Sequence, residues 1–428
     1  MSAKNVKAEI LRKTGILVLA PRFPSINQPW MDTYLEQLQI HGIKFHVVTE
    51  SNVKRKYHEK VDRLGLRQYV IPVVMERAQI LRSSLCSAVF RPLVTRVFTQ
   101  TAWKNFIFDL KAADGLKTIL RILHCFYCAA NLGNLGLIHA HSELFGYYFL
   151  PFAVQRQVPL IVTFHGLLPE GLLQLAPVRR KLLGSYAVCV IVNTNAAKQQ
   201  AVTLGYPEEK IVVLPQGLPL DDYTSVARPA PTGDEPLHLL TVGRFHRDKG
   251  HAYALLALRK LVERGVDAHW HFVGAGSEKE KLAIMAQRLG VAERVTFYVD
   301  LDLFEIQTLY RKVHLFVLPS INNRTPNEHV ETQGVVLQEA QASGCIPIAT
   351  RVGGIPECIH DKEDGLLIPD RSHRAITDAI CYLLERPEQW PMYQTKGRQN
   401  VEERFAADVI GMRMAGLLTE IMEKGNHA

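Results

Sequence analysis

Short, uniformly apolar runs recur along this chain, each closed by a polar or glycine-bearing turn and followed by a stretch of helical periodicity. ILVLA at 16–20, KFHVV at 44–48, LIHAHS at 137–142, PLIVTFHG at 159–166, AVCVIVNTN at 187–195 and KIVVLPQG at 210–217 are such runs. Runs that are apolar throughout, rather than alternating, mark strands covered on both faces, as parallel strands are. Parallel neighbours need a crossover of a dozen or more residues, usually a helix. The first of these crossovers is predicted over 29–41 and another over 147–155. A stretch rich in proline and small polar residues, DDYTSVARPAPTGDEP at 221–236, then interrupts the pattern. The alternation begins afresh after it. Strands are predicted at 237–242, 269–273, 295–298 and 315–318, with helices over 251–264, 278–289 and about 304–311 between them. The spacing therefore predicts an α/β protein of two doubly wound, Rossmann-like domains, 1–220 and 237–400, joined by the 221–236 linker. Their carboxyl edges must face each other across a cleft if one site is to use both.

Within the second half, 319–357 reads PSINNRTPNEHVETQGVVLQEAQASGCIPIATRVGGIPE. A buried strand at 314–320 precedes it and a second, CIPIAT, lies near its end. Val336, Leu337, Ala340 and Ser343 recur at helical spacing between them, which places Glu339 inside a helix and Glu331 in the loop ahead of it. Eight residues at about 1.5 Å rise separate the two carboxylates by at most about 12 Å. That length suits a sugar-diphosphate-ribose ligand lying across the helix N-terminus. Glu331 is then the group for sugar hydroxyls and Glu339 for the ribose diol, with the N–H groups of Gly334, Val335 and Val336 toward the diphosphate. TVGRFHRDKG at 241–250 sets Arg244 and Lys249 beside a glycine turn, a receptor for the same diphosphate. Gly274 and Gly276 form a G-x-G turn, read as a tight entry into a helix, since Lys279 stands where a dinucleotide fingerprint needs its third glycine. Asp300 and Asp302 make a D-x-D pattern too common by chance to assign a metal. On the first domain, Arg22 and Phe23 in the first loop and His141 and His165 at strand ends are the acceptor-side candidates.

Composition narrows the partners. Over 428 residues, 47% hydrophobic and 21% charged, the chain has the balance of a globular protein and not of a disordered one. Its net charge of +8 equals the excess of basic over acidic residues in 51–111 alone, twelve minus four. That segment reads either as a solvated helical face or as a platform for an anionic membrane surface. No zinc-finger spacing, RNA-binding aromatic motif or basic tail supports a nucleic-acid partner. The seven cysteines are scattered in apolar context, which fits reduced, packed thiols, with CFYC at 125–128 read as core rather than redox. The start lacks the apolar stretch of a signal peptide, and no run of about twenty uncharged apolar residues follows. A cytoplasmic protein, at most peripheral at the inner face of a membrane, is expected.

These motifs together resemble the retaining glycosyltransferases of family 4, with the GT-B fold. The resemblance rests on Gly243, Arg244, Lys249 and Gly250; Gly274 and Gly276; Pro319 and Ser320; Glu331, Gly334 and Glu339; Gly344 and Pro347; Gly353, Gly354, Pro356 and Glu357; and the 364–369 strand. It implies a nucleotide-sugar donor, no cofactor or metal, and retention at the anomeric carbon. Arg244 and Lys249 would hold the diphosphate, Glu331 the sugar and Glu339 the ribose, with Gly274 also in the donor site and His165 of FHG on the acceptor side. Catalysis is then assigned to Glu331, His165, Arg244 and Lys249. A last helix, about 406–424, is expected to cross back onto the first domain. Thr332 stands where relatives often carry glycine, and Arg22-Phe23-Pro24 replaces the glycine-rich first loop. That loop is more like the subgroup building surface polysaccharides, which implies a glycan acceptor carried on a lipid. The insert 321–329 is expected to contribute to donor or acceptor choice. Two further readings share the fold: a nucleotide-sugar 2-epimerase, and a binding subunit without catalysis.

Overall fold

A computed structural model describes residues 15–25, 29–50, 57–73, 132–167, 175–232, 235–322 and 330–425, with scattered positions between 118 and 129. Seven parallel strands form the first sheet: β1 (Gly15–Leu19), β2 (Phe45–Glu50), β3 (Val70–Val73), β4 (Leu135–Ala140), β5 (Leu160–Phe164), β6 (Cys189–Val192) and β7 (Ile211–Val213). Six form the second: β8 (Leu237–Val242), β9 (Ala268–Val273), β10 (Val295–Tyr298), β11 (Leu315–Leu318), β12 (Ile346–Thr350) and β13 (Leu366–Ile368). The strand orders are β3-β2-β1-β4-β5-β6-β7 and β10-β9-β8-β11-β12-β13. Both reverse direction once, between β1 and β4 in the first sheet and between β8 and β11 in the second.

Each sheet has a core on both faces, as the uniformly apolar runs require. In the first, Ile138, Val162 and Val190 pack on one side with Phe145 and Phe149, while Ile16, Val18 and Val47 pack on the other. In the second, Leu239, Trp270 and Phe272 face one layer and Leu240, Phe316 and Leu337 the opposite one. In the linker, Ala230 is buried in the second core and the Arg228 carbonyl accepts from Gln394 Nε2 at 2.7 Å.

Five helices position the site. Helix α1 (Pro29–Ile40) and α2 (Glu143–Arg156) flank the first sheet. Helix α2 begins four residues before the sequence expectation, because the Ser142 hydroxyl accepts from Phe145 N at 3.4 Å and caps it there. Helix α3 (Asn195–Thr203) follows β6, and α4 (Val335–Ala342) is the crossover bearing Glu339. The last helix, α5 (Ala407–Gly425), lies against the first sheet rather than the second. Its Ile410, Leu418 and Met422 are buried with Leu35 and Leu38 of α1, each worth about 1.5–3 kcal/mol of apolar transfer. Just before α5, Leu218 N donates to Phe405 O at 2.7 Å and Ala407 N to Leu218 O at 2.8 Å, which fixes the crossing point.

Of the basic segment 51–111, residues 51–56 and 74–111 lie outside the described residues, as do 323–329 of the polar insert. Within the described part, Lys60 pairs with Glu36 at 2.6 Å and Asp222 at 3.7 Å, and Arg67 with Asp62 at 3.7 Å.

Candidate active site

Where strand order reverses, adjacent loops leave in opposite directions and open a crevice at the carboxyl edge. The first sheet presents His141 after β4, His165 after β5 and Thr194 after β6 at this edge. The second presents 243–250 after β8, Pro319 and Ser320 after β11, and Gly353 after β12. Hydrogen bonds join the two edges. Thr194 Oγ1 donates to Thr332 O at 2.7 Å, and Thr332 Oγ1 to His165 O at 3.4 Å. Gln216 and Gln333 exchange two bonds, Gln216 N to Gln333 Oε1 at 2.8 Å and Gln333 Nε2 to Gln216 O at 3.2 Å. The Glu357 carboxylate accepts from Asn195 N, Asn195 Nδ2 and Ala196 N at 2.8, 2.9 and 2.8 Å. A carboxylate of the second domain thus closes the N-terminus of α3 in the first, where unbonded N–H groups and the helix dipole favour an anion.

On the donor side, Lys249 Nζ forms an ion pair with Glu331, both side chains 14% exposed. The two residues singled out separately, one from a basic loop and one from the glutamate pair, therefore touch. Arg244 lies more open, its Nη2 3.4 Å from buried Asp248, which also takes His246 Nδ1 at 2.7 Å. Gly250, at φ 68°, ends this loop against the Pro319 carbonyl, and any side chain there would overlap that oxygen. The approach sets Lys249 over the end of β11. Gly274 N donates to Tyr298 O at 3.0 Å, so its N–H serves the sheet edge and its lack of a side chain lets this loop rest on Gly243.

Gly334, Val335 and Val336 form the start of α4, where Leu337 N bonds back to Gly334 O at 2.8 Å and the N–H groups ahead of it have no helical carbonyl to bind. Gly334 holds the left-handed conformation at φ 74° that turns the chain into the helix. Glu339 is buried. Burial pushes its carboxyl pKa up, and hydrogen bonds from the Tyr310 and Tyr223 hydroxyls oppose this, Tyr310 at 3.0 Å.

The acceptor-side histidines form a connected set. His139, inside β4, is held between Tyr34 Oη and Thr163 Oγ1, both at 2.7 Å. His141 Nδ1 lies 3.3 Å from His165 Nε2, and His165 Nδ1 lies 3.2 Å from Gln216 Nε2. Burial lowers all three, His139 to about 3 and His165 to about 4, so the cluster is neutral at pH 7. The Trp30 ring packs tilted against two of them, its centroid 4.5 Å from that of His165 and 5.4 Å from that of His141.

One expectation changes. Phe23 is 1% exposed in the first core, so it packs the loop and cannot meet an acceptor, whereas Arg22 beside it is exposed. Asp302 of the D-x-D pattern caps the helix Leu303–Lys312 in a reciprocal capping box with Glu305. Among the described residues no group of three candidate metal ligands occurs. The sequence also did not point to Gln216, Gln333, Tyr310 and Tyr223. Gln333 lay two residues from Glu331, but nothing in its spacing indicated a partner 117 residues away.

A family model described as Glycosyltransferase Family 4 matches residues 31–222, and one described as Glycosyl transferases group 1 matches 226–400. The putative colanic acid biosynthesis glycosyltransferase WcaL of Escherichia coli K12 is 28% identical over 217 residues, 50% of this chain and 52% of that protein. A GDP-mannose-dependent alpha-(1-6)-phosphatidylinositol monomannoside mannosyltransferase of Mycolicibacterium smegmatis is 32% identical over 187 residues, 44% of this chain and 48% of that one. The matches thus span about half the length of these curated relatives. Among solved structures, sucrose-phosphate synthase from Thermosynechococcus elongatus superposes with a TM-score of 0.71 at 20% identity, covering 96% of this chain and all of that one. Anabaena HepE in complex with UDP superposes at 0.70 and 15% identity, covering 95% of this chain and all of that one. Two parallel-sheet domains on the GT-B plan, with one family model on each, show that this chain belongs to the glycosyltransferases, Glycosyltransferase Family 4 in its first half and Glycosyl transferases group 1 in its second.

Proposed function

We propose that the protein transfers a sugar, with retention, from a nucleoside-diphosphate sugar to a hydroxyl of a glycan acceptor carried on a lipid, in surface polysaccharide assembly. The observation that carries this reading is the Lys249–Glu331 pair set against the Thr332–His165 seam. The loop that carries Glu331 thus rests, through its neighbour Thr332, against the strand end that carries His165, which supports a site shared by the two domains. Relatives named for colanic acid biosynthesis and for mannosylation of a phosphatidylinositol mannoside support the acceptor class. A neighbour's complex with UDP supports the donor class.

In this mechanism the donor diphosphate draws Lys249 away from Glu331 and lies against Arg244, Lys249 and the first turn of α4. Neutralising the charge that builds on the leaving diphosphate lowers the barrier to its departure. Glu331, released from Lys249, accepts hydrogen bonds from the sugar, and Glu339 binds the ribose. The acceptor hydroxyl attacks the face the diphosphate leaves, with a donor phosphate oxygen taking its proton. No metal is drawn on, because Arg244 and Lys249 supply the positive charge. The basic segment 51–111 is the part we assign to an anionic membrane surface, and no helix among the described residues is long and apolar enough to cross one.

Release of nucleoside diphosphate that depends on added acceptor tests the reading. Turnover of the donor without acceptor would replace it with an epimerase, and no turnover at all with a binding subunit. Capture of a sugar covalently on Glu331 would overturn the front-face mechanism in favour of a carboxylate nucleophile.

A further inference from the structure

A cavity of about 600 Å³, including its open mouth, lies between α1 and α5 beneath the carboxyl edge of the first sheet. Leu38, Ile191, Leu214, Ile410, Met414 and Ala415 contribute most of its apolar wall. Among the described residues no carboxylate, lysine or arginine lines it. His141 and His165 stand at the edge nearer the seam.

The hydrogen bonds of those histidines leave one atom over. Gln216 Nε2 donates to His165 Nδ1, so His165 carries its proton on Nε2 and donates it to His141 Nδ1. His141 therefore keeps its own proton on Nε2. That atom is buried and has no hydrogen-bond partner among the described residues, and the Gln37 Oε1 acceptor on the cavity wall is likewise without one there. A buried donor left unmade costs free energy that a ligand oxygen recovers. His165, the residue the family resemblance favours, has both ring nitrogens occupied.

We propose that this cavity binds an uncharged, alkyl-bearing part of the acceptor, with an oxygen of that group on His141 Nε2, and that His165 and Gln216 position His141. This rests on the acceptor-side reading above and adds to it a ligand chemistry. An apolar wall without a counter-charge desolvates a phosphate or carboxylate at a large cost, while it favours an alkyl chain in proportion to the area buried. Neutral histidines, held so by burial, keep the cavity free of charge at pH 7.

The test is calorimetric titration of the full chain with octyl β-D-glucopyranoside below its micellar concentration, with methyl β-D-glucopyranoside and glucuronic acid as comparisons. The octyl glycoside is expected to bind at least tenfold tighter than the methyl glycoside, and glucuronic acid not measurably. Ala415→Leu, which fills the cavity, is expected to remove the octyl preference. Met414→Ala, which enlarges it, is expected to shift preference toward the decyl glycoside and keeps the test open if the first variant fails to fold. His141→Phe keeps the ring stacking and removes the donor, and is expected to weaken octyl glycoside binding about fivefold. Equal binding of octyl and methyl glycosides, or octyl binding unaffected by both cavity variants, overturns the proposal. Nucleoside diphosphate affinity, measured alongside, is expected to stay constant in the cavity variants. Its absence with octyl binding intact would count against the proposed transferase and leave the cavity standing.

Discussion

Lys249 Nζ and the Glu331 carboxylate form an ion pair across two loops of the second domain, each side chain 14% exposed. A cation and an anion that the proposed mechanism assigns to the donor are thus already neutralising one another. Water is largely excluded from the pair, so removing either partner deprives the other of this counter-charge.

From this pair follows a coupling that a double-mutant cycle reads. Lys249→Met or Glu331→Gln alone is expected to lower stability by about 2 kcal/mol, below the 3–5 kcal/mol of fully buried pairs because some water reaches both. The double variant is expected to cost less than the sum of the two. Lys249→Met is also expected to abolish the thermal shift given by a nucleoside diphosphate. Additive stability losses with a normal nucleotide shift would remove Lys249 from the diphosphate site.

Glu357 reaches from the second domain to Asn195 N and Ala196 N at 2.8 Å each, closing the start of α3. Glu357→Ala is expected to cost about 1 kcal/mol, the usual worth of a helix N-cap. It should also broaden the domain arrangement seen by small-angle scattering, and raise KM for donor and acceptor together. An unchanged scattering profile with unchanged KM would show that closure does not depend on this contact.

Acid should weaken the fold. Burial first, then the neighbouring His165, holds His139 near 3, and burial holds His165 near 4. In the second domain burial, with Arg228 beside them, holds His314 near 4 and lowers His238, against a partly opposing Glu235. These groups are neutral when folded and protonate near 6.5 when unfolded, so between about 4 and 6.5 the unfolded chain binds more protons. Their contribution is full above about pH 6.5 and is lost as pH falls toward 4. Urea midpoints at pH 7.5, 6.5 and 5.5 should drop steadily across the lower interval, and a flat series would refute the assignment.

The thiols should be inert. Burial raises Cys128 and Cys189 to about 11 and Cys345 and Cys358 to about 12, and pushes Cys125 well up. Little thiolate exists at any of them at pH 8. Mass mapping after brief exposure to a thiol reagent is expected to find these five unmodified until denaturant is added. Rapid labelling of Cys125 and Cys128 together would return CFYC to redox chemistry.

The sequence on its own determined the layered architecture. Runs such as LFVL at β11 are apolar at every position, and only a strand covered on both faces tolerates that. It also determined where Arg244, Lys249, Glu331 and Glu339 stand in the chain, because glycine turns and strand ends are local signals. Helix starts were less legible. Helix α2 began at Glu143 because the Ser142 hydroxyl offered a cap, a signal that hydrophobic spacing does not carry.

Tertiary structure alone decided which of these groups meet. Lys249 and Glu331 are 82 residues apart, Glu357 and Ala196 161 apart, and Thr332 and His165 167 apart. No periodicity encodes such pairs. They follow from two sheets whose reversals of strand order face each other and from a last helix, α5, that crosses to the first core. Phe23 illustrates the same limit, since a residue beside an exposed arginine looked available to a ligand until the fold buried it. The unpartnered nitrogen of His141 was equally invisible, because it depends on what Gln216 and His165 do with their own hydrogen bonds once the chain has brought all three together.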